Sequence, residues 1–128
     1  MNRATRLGGR QRGLTLIELV IALLIVALLS KIALPSYRQY VTRSSREAVQ
    51  AQLIELAGVE DKIFLNSNAY TASVTGGYDG SSAGGLGLTA GASRDARYTI
   101  AAAVAGLSFT LTATPVAGTT QAGDGNLT

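Results

Sequence analysis

A chain of 128 residues with a formal net charge of +3 allows one small folded domain beside an apolar segment. The positive charge lies in the first 13 residues, which hold four Arg and no acid; residues 14–128 carry seven basic and eight acidic residues. This remainder lacks the basic balance of a nucleic-acid-binding domain. Because Cys and His are both absent, thiolate or imidazole metal sites, disulfides and Ser-His or Cys-His catalytic pairs are excluded.

A long apolar run follows the basic N-terminus. It extends from Leu14 to Leu34 and includes eleven consecutive uncharged apolar residues at 19–29. At about 1.5 Å per helical residue, the run is long enough to cross the ~30 Å hydrocarbon core of a bilayer. Its one carboxylate, Glu18, would cost roughly 2.5–3.5 kcal/mol inside a membrane and therefore needs a partner. The preceding arginines predict a cytoplasmic N-terminus and a translocated remainder.

The residues around Gly13 form a specific pattern. Residues 13–18 are Gly-Leu-Thr-Leu-Ile-Glu, and the apolar run ends in Ala-Leu-Pro-Ser-Tyr. With the basic leader, this pattern resembles the N-terminus of a type IV prepilin, most strongly over residues 8–71. The resemblance implies that a prepilin peptidase cleaves between Gly13 and Leu14 and methylates the new N-terminus. Leu14 stands where the family usually has Phe, and Lys31 lies in a part of the helix that the family keeps uncharged.

An ordinary signal peptide or an unprocessed membrane anchor is the alternative for the N-terminus. A secretory signal peptide places its apolar region before the cleavage point. Here the apolar region follows Gly13, and no clear Ala-x-Ala sequence follows that region. The order of the segments therefore favours the prepilin interpretation.

The predicted fold is α+β, the type IV pilin fold, with a long N-terminal helix whose second half packs on a small antiparallel sheet. Residues 1–13 are the predicted cleaved leader, 14–35 the transmembrane and assembly helix, and 36–128 the periplasmic head. Pro35 is a predicted break in the helix, which resumes over 36–65. One helical face of that second half is apolar, with Glu60 among its polar flanks. The apolar residues are Val49, Leu53, Leu56, Ala57, Ile63 and Phe64.

The rest of the head is predicted as a loop at 66–96, strands at 97–116 and a C-terminal segment at 117–128. The many glycines in 75–93 predict a mobile, exposed loop, placed where pilins keep a variable surface loop. Period-two alternation predicts a hairpin that turns at Ala105-Gly106 and buries Phe109 and Leu111 against the helix. Residues 125–128 resemble the start of another strand. Family members usually continue through one more, so we expect a C-terminally short or truncated chain.

Two hypotheses account for Glu18. Its carboxylate could reach the cytoplasmic headgroups as a tolerated interfacial charge. Alternatively, cleavage creates an α-amine on Leu14, four residues before Glu18, and the amine of one subunit pairs with the carboxylate of another. In pilins this Glu is understood as an assembly residue, so the resemblance favours the second hypothesis.

Three further residues each have two interpretations. Lys31 could extend its ammonium to the outer headgroups or contact another subunit. Tyr37 and Tyr40 suit either a membrane interface or helix packing in a filament.

The resemblance implies a structural subunit of a type IV pilus, and the small head favours a minor pilin. Implied partners are other pilin subunits in a helical filament, the prepilin peptidase, the inner-membrane assembly platform and, before assembly, membrane lipid. Roles in adhesion and twitching motility follow from the same resemblance. The expected location is the bacterial inner membrane, with a periplasmic head, and then the pilus at the cell surface. No enzymatic activity, cofactor or metal is predicted.

Two alternatives share the same N-terminus. A type II secretion pseudopilin of the major type carries an acidic calcium loop, for which Asp124 alone is too little. A DNA-receptor pilin for natural transformation calls for a basic stripe, yet only Arg94 and Arg97 are basic after Lys62. Nucleic acid is therefore not a favoured partner from the sequence.

Overall fold

A computed structural model describes residues 13–128, so the predicted leader lies outside the described residues apart from Gly13. Helix α1 spans Leu16–Ser67, strand β1 spans Tyr98–Ala105 and strand β2 spans Ser108–Pro115. A single 3₁₀ turn, Thr89–Gly91, precedes β1. The described residues up to Ser36 form one unit and residues Tyr37–Thr128 form another, which we term the head. The predicted α+β fold, a long helix with a small antiparallel sheet, is confirmed.

Pro35 does not end the helix. It lies inside α1, in contrast to the predicted break. Proline fixes φ near the helical value and removes only one backbone donor, so a helix favoured on both sides can continue through it. Beside it, the Ser36 hydroxyl donates a hydrogen bond to the Ile32 carbonyl oxygen at 3.2 Å.

The C-terminus of α1 lies two residues beyond the predicted end. Asn68 follows it with φ +56°, a left-handed conformation that Asn adopts more readily than most residues. Its backbone N–H donates to the Phe64 carbonyl oxygen at 2.7 Å. The Asn-rich stretch therefore stops the helix, as the sequence predicts.

One face of α1 packs against the hairpin to form the core of the head. The predicted helical stripe is confirmed, because Val49, Leu53, Leu56 and Ile63 are all buried. The same cluster contains six residues from other parts of the head: Leu86, Tyr98, Ile100, Leu111, Ala113 and Leu127.

The hairpin differs from its prediction at the turn. β1 and β2 pair antiparallel from Tyr98 opposite Pro115 to Ala105 opposite Ser108. The two-residue turn is therefore Gly106-Leu107, and Gly106 has φ +62°, the region that favours glycine. Leu107 lies in this turn and is 77% exposed.

The aromatic residue at the centre of the hairpin core is Tyr98, not Phe109. Tyr98 is fully buried, whereas Phe109 is only partly buried. The Phe109 ring lies 4.7 Å from the ring of Tyr70, which in turn stacks on Phe64 at 4.7 Å. The prediction that the hairpin buries Phe109 therefore holds only in part, while Leu111 is buried as predicted.

The last residues of the chain add to the sheet. Leu127 forms an antiparallel bridge with Ala113, with backbone hydrogen bonds of 2.8 Å and 3.0 Å between them. The strand-like character predicted for residues 125–128 is thus observed at Leu127, whose side chain is buried.

The glycine-rich segment is not the uniformly exposed loop that its composition predicts. Two of its stretches pair through backbone hydrogen bonds, including Gly85 N–H to the Gly77 oxygen at 3.0 Å and Gly87 N–H to the Gly76 oxygen at 2.8 Å. Leu86 reaches the core, where it is buried. Glycine here permits close backbone approach, because a Cβ on Gly85 would lie 2.5–2.7 Å from backbone atoms of Gly76.

We expect Gly85→Ala to destabilise the head by about 1–3 kcal/mol, since the added methyl group overlaps the Gly76 backbone. Gly77→Ala is the matched control, because a Cβ at Gly77 meets nothing within 4 Å. Amide hydrogen exchange of the full chain in detergent measures the difference. Equal protection in the two variants would contradict the close packing of this segment.

Candidate functional site

Thr15 caps the first turn of α1. Its hydroxyl oxygen accepts a hydrogen bond from the backbone N–H of Glu18 at 3.3 Å, the arrangement of a helix N-cap. A carboxylate in the first turn is also favoured by the helix dipole. Glu18 therefore lies in the turn that starts the helix. The sequence signal was available, since Thr-x-x-Glu before an apolar run is typical of such a cap.

Leu14 lies before the helix. Because α1 begins at Leu16, the one-turn helical spacing expected between Leu14 and Glu18 is not formed in the chain with its leader attached. Both residues are exposed, and Glu18 has no ion-pair partner within residues 13–128. Pairing between the Leu14 amine and the Glu18 carboxylate stays a prediction about separate, cleaved subunits.

Gly13 lies in open space. A Cβ added there would meet nothing within 4 Å, so a larger side chain at this position would not disturb the packing of this chain. Any effect of bulk at Gly13 would therefore act through a protein that recognises it. Cleavage after Gly13 stays a prediction.

The first half of α1 exposes a continuous apolar surface. Among its large apolar side chains from Leu16 to Leu34, the exposed fraction runs from 47% at Val20 to 84% at Leu16. In the part of the chain that the structure describes, α1 is the one helix long and apolar enough to cross a membrane. So large an apolar surface requires lipid or other apolar helices to cover it.

Two polar side chains interrupt that surface near its C-terminal end. The Ser30 hydroxyl donates to the Val26 carbonyl oxygen at 2.8 Å, which satisfies it within the helix as an apolar medium demands. Lys31 is exposed and forms no ion pair with any residue from 13 to 128. Contact of Lys31 with headgroups and contact with another subunit both stay predictions.

In the head, polar contacts bind the C-terminal segment to α1. Arg46 donates to the Asp124 backbone oxygen at 2.7 Å and pairs with its carboxylate at 3.0 Å. The Tyr98 hydroxyl donates to the same carboxylate. The Gln121 amide donates to the Thr42 carbonyl oxygen at 3.2 Å. We term these five residues the C-terminal clamp; they hold this segment in a chain that has no cysteine for a disulfide.

The electrostatics of the clamp favour a neutral Tyr98 hydroxyl and an ionised Asp124 carboxylate. Burial raises the pKa of Asp124, but hydrogen bonds from Tyr98 and Arg46 and the Arg46 charge outweigh burial and leave that pKa below its ordinary value. Burial, together with the hydrogen bond to Asp124, raises the pKa of Tyr98 to about 12. At neutral pH Tyr98 is therefore the donor and Asp124 the charged acceptor.

Half of the basic residues of the head are ion-paired. The three pairs join Arg46 with Asp124 at 3.0 Å, Arg94 with Glu55 at 2.7 Å and Arg97 with Asp95 at 3.9 Å. The other three basic residues of the head have no such pair within residues 13–128: Arg38, Arg43 and Lys62. Arg94 and Arg97, the two basic residues after Lys62, are thus partly neutralised.

Glu60 is buried, in contrast to its predicted place among the polar flanks of α1. One carboxylate oxygen accepts the Thr71 backbone N–H at 3.1 Å, and the other has no hydrogen-bond partner among the described residues. Burial raises the pKa of Glu60; the Thr71 hydrogen bond opposes this effect, and the nearby Asp61 charge adds to it. The hydrogen bond from Thr71 thus links α1 to the residues just before the glycine-rich segment, although burial of the Glu60 carboxylate is unfavourable.

We expect the Glu60 carboxylate to make the head less stable at neutral pH than in mild acid. The pKa of Glu60 in the folded state is higher than the ordinary 4.5, so protonation of Glu60 stabilises the folded head. This stabilisation is lost as the pH rises through the folded-state pKa. Urea unfolding of the full chain in detergent from about pH 5 to pH 8 measures this slope. Glu60→Gln should reduce it; an identical slope in that variant would contradict the assignment.

The head matches a family model described as type IV minor pilin ComP, DNA uptake sequence receptor, over residues 35–128. The chain belongs to this type IV pilin family. A second model, the prokaryotic N-terminal methylation motif, matches residues 8–30. Together they establish a type IV pilin with a prepilin-type leader, as the resemblance at Gly13 implies. Pilin-family membership indicates a structural protein.

Two curated relatives are also pilins. The type IV major pilin protein PilA of Myxococcus xanthus is 32% identical over 69 residues, 54% of this chain and 31% of that protein. The type IV major alpha-pilin of Moraxella bovis is 44% identical over 43 residues, 34% of this chain and 27% of that protein. The matches thus cover less than a third of either relative. No solved structure matches the chain.

Proposed function

We propose that this pilin is a minor subunit of a type IV pilus that polymerises through the first half of α1. The observation that carries the proposal is the exposed apolar surface from Leu16 to Leu34, with Glu18 in its first turn. Such a surface can be covered by lipid before assembly and by the same surface of other subunits afterwards. The pilus pilins among its relatives favour a pilus over a type II secretion machine.

The proposal includes the path of the subunit. The leader stays in the cytoplasm, the apolar half of α1 spans the inner membrane, and the head lies in the periplasm. A prepilin peptidase cleaves between Gly13 and Leu14 and methylates the Leu14 amine. The assembly platform then moves the subunit into the filament, where it supports adhesion and twitching motility.

Processing tests the proposal. We expect Gly13→Leu to leave the leader attached, because a large side chain next to the scissile bond should block the peptidase. The substitution should not disturb the chain itself, since a Cβ at Gly13 meets nothing within 4 Å. Intact-mass measurement of the membrane-extracted chain checks this result. Leu14→Phe is the matched control and should be cleaved normally. A wild-type chain that begins beyond Pro35 would reveal a conventional signal peptide and contradict the proposal.

Reception of DNA is a second candidate function, favoured by the family description over residues 35–128. The ion pairing of Arg46, Arg94 and Arg97 argues against an extended cationic surface that includes these three residues. Fluorescence anisotropy of the detergent-solubilised full chain with duplex DNA tests this function. A receptor should bind one uptake sequence more tightly than a shuffled duplex at 150 mM salt. Equal, weak affinities for the two duplexes would argue against DNA reception, and the filament role would then be the single proposed function.

A further inference from the structure

The head contains a basic cleft of about 420 Å³ at the start of its helical segment. Six residues line this basic cleft: Arg38, Gln39, Thr42, Arg43, Arg46 and Asp124. Their side chains supply three guanidinium groups, one amide, one hydroxyl and one carboxylate. Such a set is rich in hydrogen-bond donors and suits an anion.

The charge of the cleft is not balanced within the chain. Arg46 is neutralised by Asp124, whose carboxylate also accepts the Tyr98 hydroxyl. Arg38 and Arg43 are exposed and have no ion-pair partner in residues 13–128. Three cations and one anion leave a formal charge of +2. Because the carboxylate is already engaged, it does not cancel the two remaining arginines.

The position of the cleft in the sequence indicates which anion it meets. Arg38 follows Leu34, the last residue of the apolar run, by four residues, and Arg43 follows it by nine. Tyr37 and Tyr40 are 67% and 70% exposed beside the same residues. Tyrosines and arginines directly outside an apolar span lie where lipid headgroups are found.

We propose that the basic cleft binds the phosphate of an anionic phospholipid headgroup while the subunit is held in the membrane. The planar guanidinium groups of Arg38 and Arg43 can each donate two hydrogen bonds to phosphate oxygens. This inference rests on the proposed function, because it requires the apolar half of α1 to lie in a membrane. The contact is lost on extraction into a filament, so anionic lipid favours the membrane-held state.

Spin-labelled lipids test this proposal on the full chain in vesicles of phosphatidylcholine and phosphatidylglycerol. Electron spin resonance measures how much more strongly the protein retains the labelled phosphatidylglycerol than the labelled phosphatidylcholine. We expect Arg38→Gln and Arg43→Gln each to reduce this preference about fivefold, equivalent to ~1 kcal/mol per arginine. The leader is the same in every variant, so its own lipid contacts cancel from the comparison.

The matched control is Lys62→Gln with Arg94→Gln, which removes two charges elsewhere in the head and should leave the preference unchanged. An unchanged preference in Arg38→Gln with Arg43→Gln would overturn the proposal, as would an equal loss in the control. Lipid-free binding of duplex DNA that depends on the same two arginines would overturn it in favour of nucleic acid. Thermal unfolding of each variant verifies that the head is intact.

The outcomes separate the two proposals. A chain that enters pili but shows no preference for phosphatidylglycerol would overturn the lipid inference and support the filament role. A chain that prefers phosphatidylglycerol but never enters pili would support the lipid contact and overturn the filament role.

Discussion

Tyr98→Ala is expected to destabilise the head by about 3–5 kcal/mol. The substitution leaves a cavity at a fully buried aromatic side chain and removes the hydroxyl that donates to Asp124. The loss therefore affects the core and the C-terminal clamp together. Amide hydrogen exchange of the full chain in detergent measures it, because the slowest head amides exchange through unfolding of the head.

Two companion variants separate these contributions. Tyr98→Phe keeps the ring and removes only the hydrogen bond to a charged acceptor, which should cost about 1.5–3 kcal/mol. Phe109→Ala removes a partly buried ring that packs at a tilt against the ring of Tyr70, and roughly 1–2 kcal/mol is expected. A larger loss for Phe109→Ala than for Tyr98→Ala would show that the core is centred elsewhere.

Glu18→Val is expected to remove the subunit from the pilus fraction while leaving it processed and membrane-bound. The substitution makes the apolar surface more apolar, so insertion survives. We expect cleavage to survive as well, because the proposed recognition site of the peptidase is the junction at Gly13, which is unchanged. We expect incorporation to fail, because under the proposed pairing the Leu14 amine of a neighbouring subunit would have no carboxylate partner in an apolar surrounding. Immunoblots of sheared pili and of membranes measure the distribution.

Glu18→Gln is the stricter variant, because it keeps the size of the side chain and removes only the charge. The Thr15 cap should survive in both variants, since it uses the backbone N–H at position 18. Wild-type amounts of both variants in sheared pili would show that the charge is not required for assembly. The favourable interaction of a carboxylate with the helix dipole in the first turn would then be the remaining explanation for Glu18.

The sequence predicts the long helix, its buried stripe and the hairpin because each depends on a local period. Val49, Leu53 and Leu56 repeat at helical spacing, and Tyr98 and Ile100 alternate at strand spacing. These periods fix which side chains face inward before any tertiary contact is known. The Gly13 and Glu18 pattern is equally local, so the pilin family could be inferred from it.

Other features depend on contacts between distant residues and could not be predicted. The pairing around Gly85 and the clamp between Arg46 and Asp124 join segments that show no common period. The burial of Glu60, in contrast, has a signal in the sequence. Glu60 lies between Leu56 and Ile63 on the spacing of the buried stripe, where a charged residue must be buried or must break the pattern. Its charge alone predicts an exposed side chain, whereas its spacing predicts the burial that the structure shows.

Peptide mass spectrometry of sheared, purified pili tests the central claim most directly. If the chain is a pilus subunit, the filaments will contain it, and its N-terminal peptide will begin at a methylated Leu14. A chain confined to the membrane fraction of piliated cells, with residues 1–13 still attached, would contradict the account.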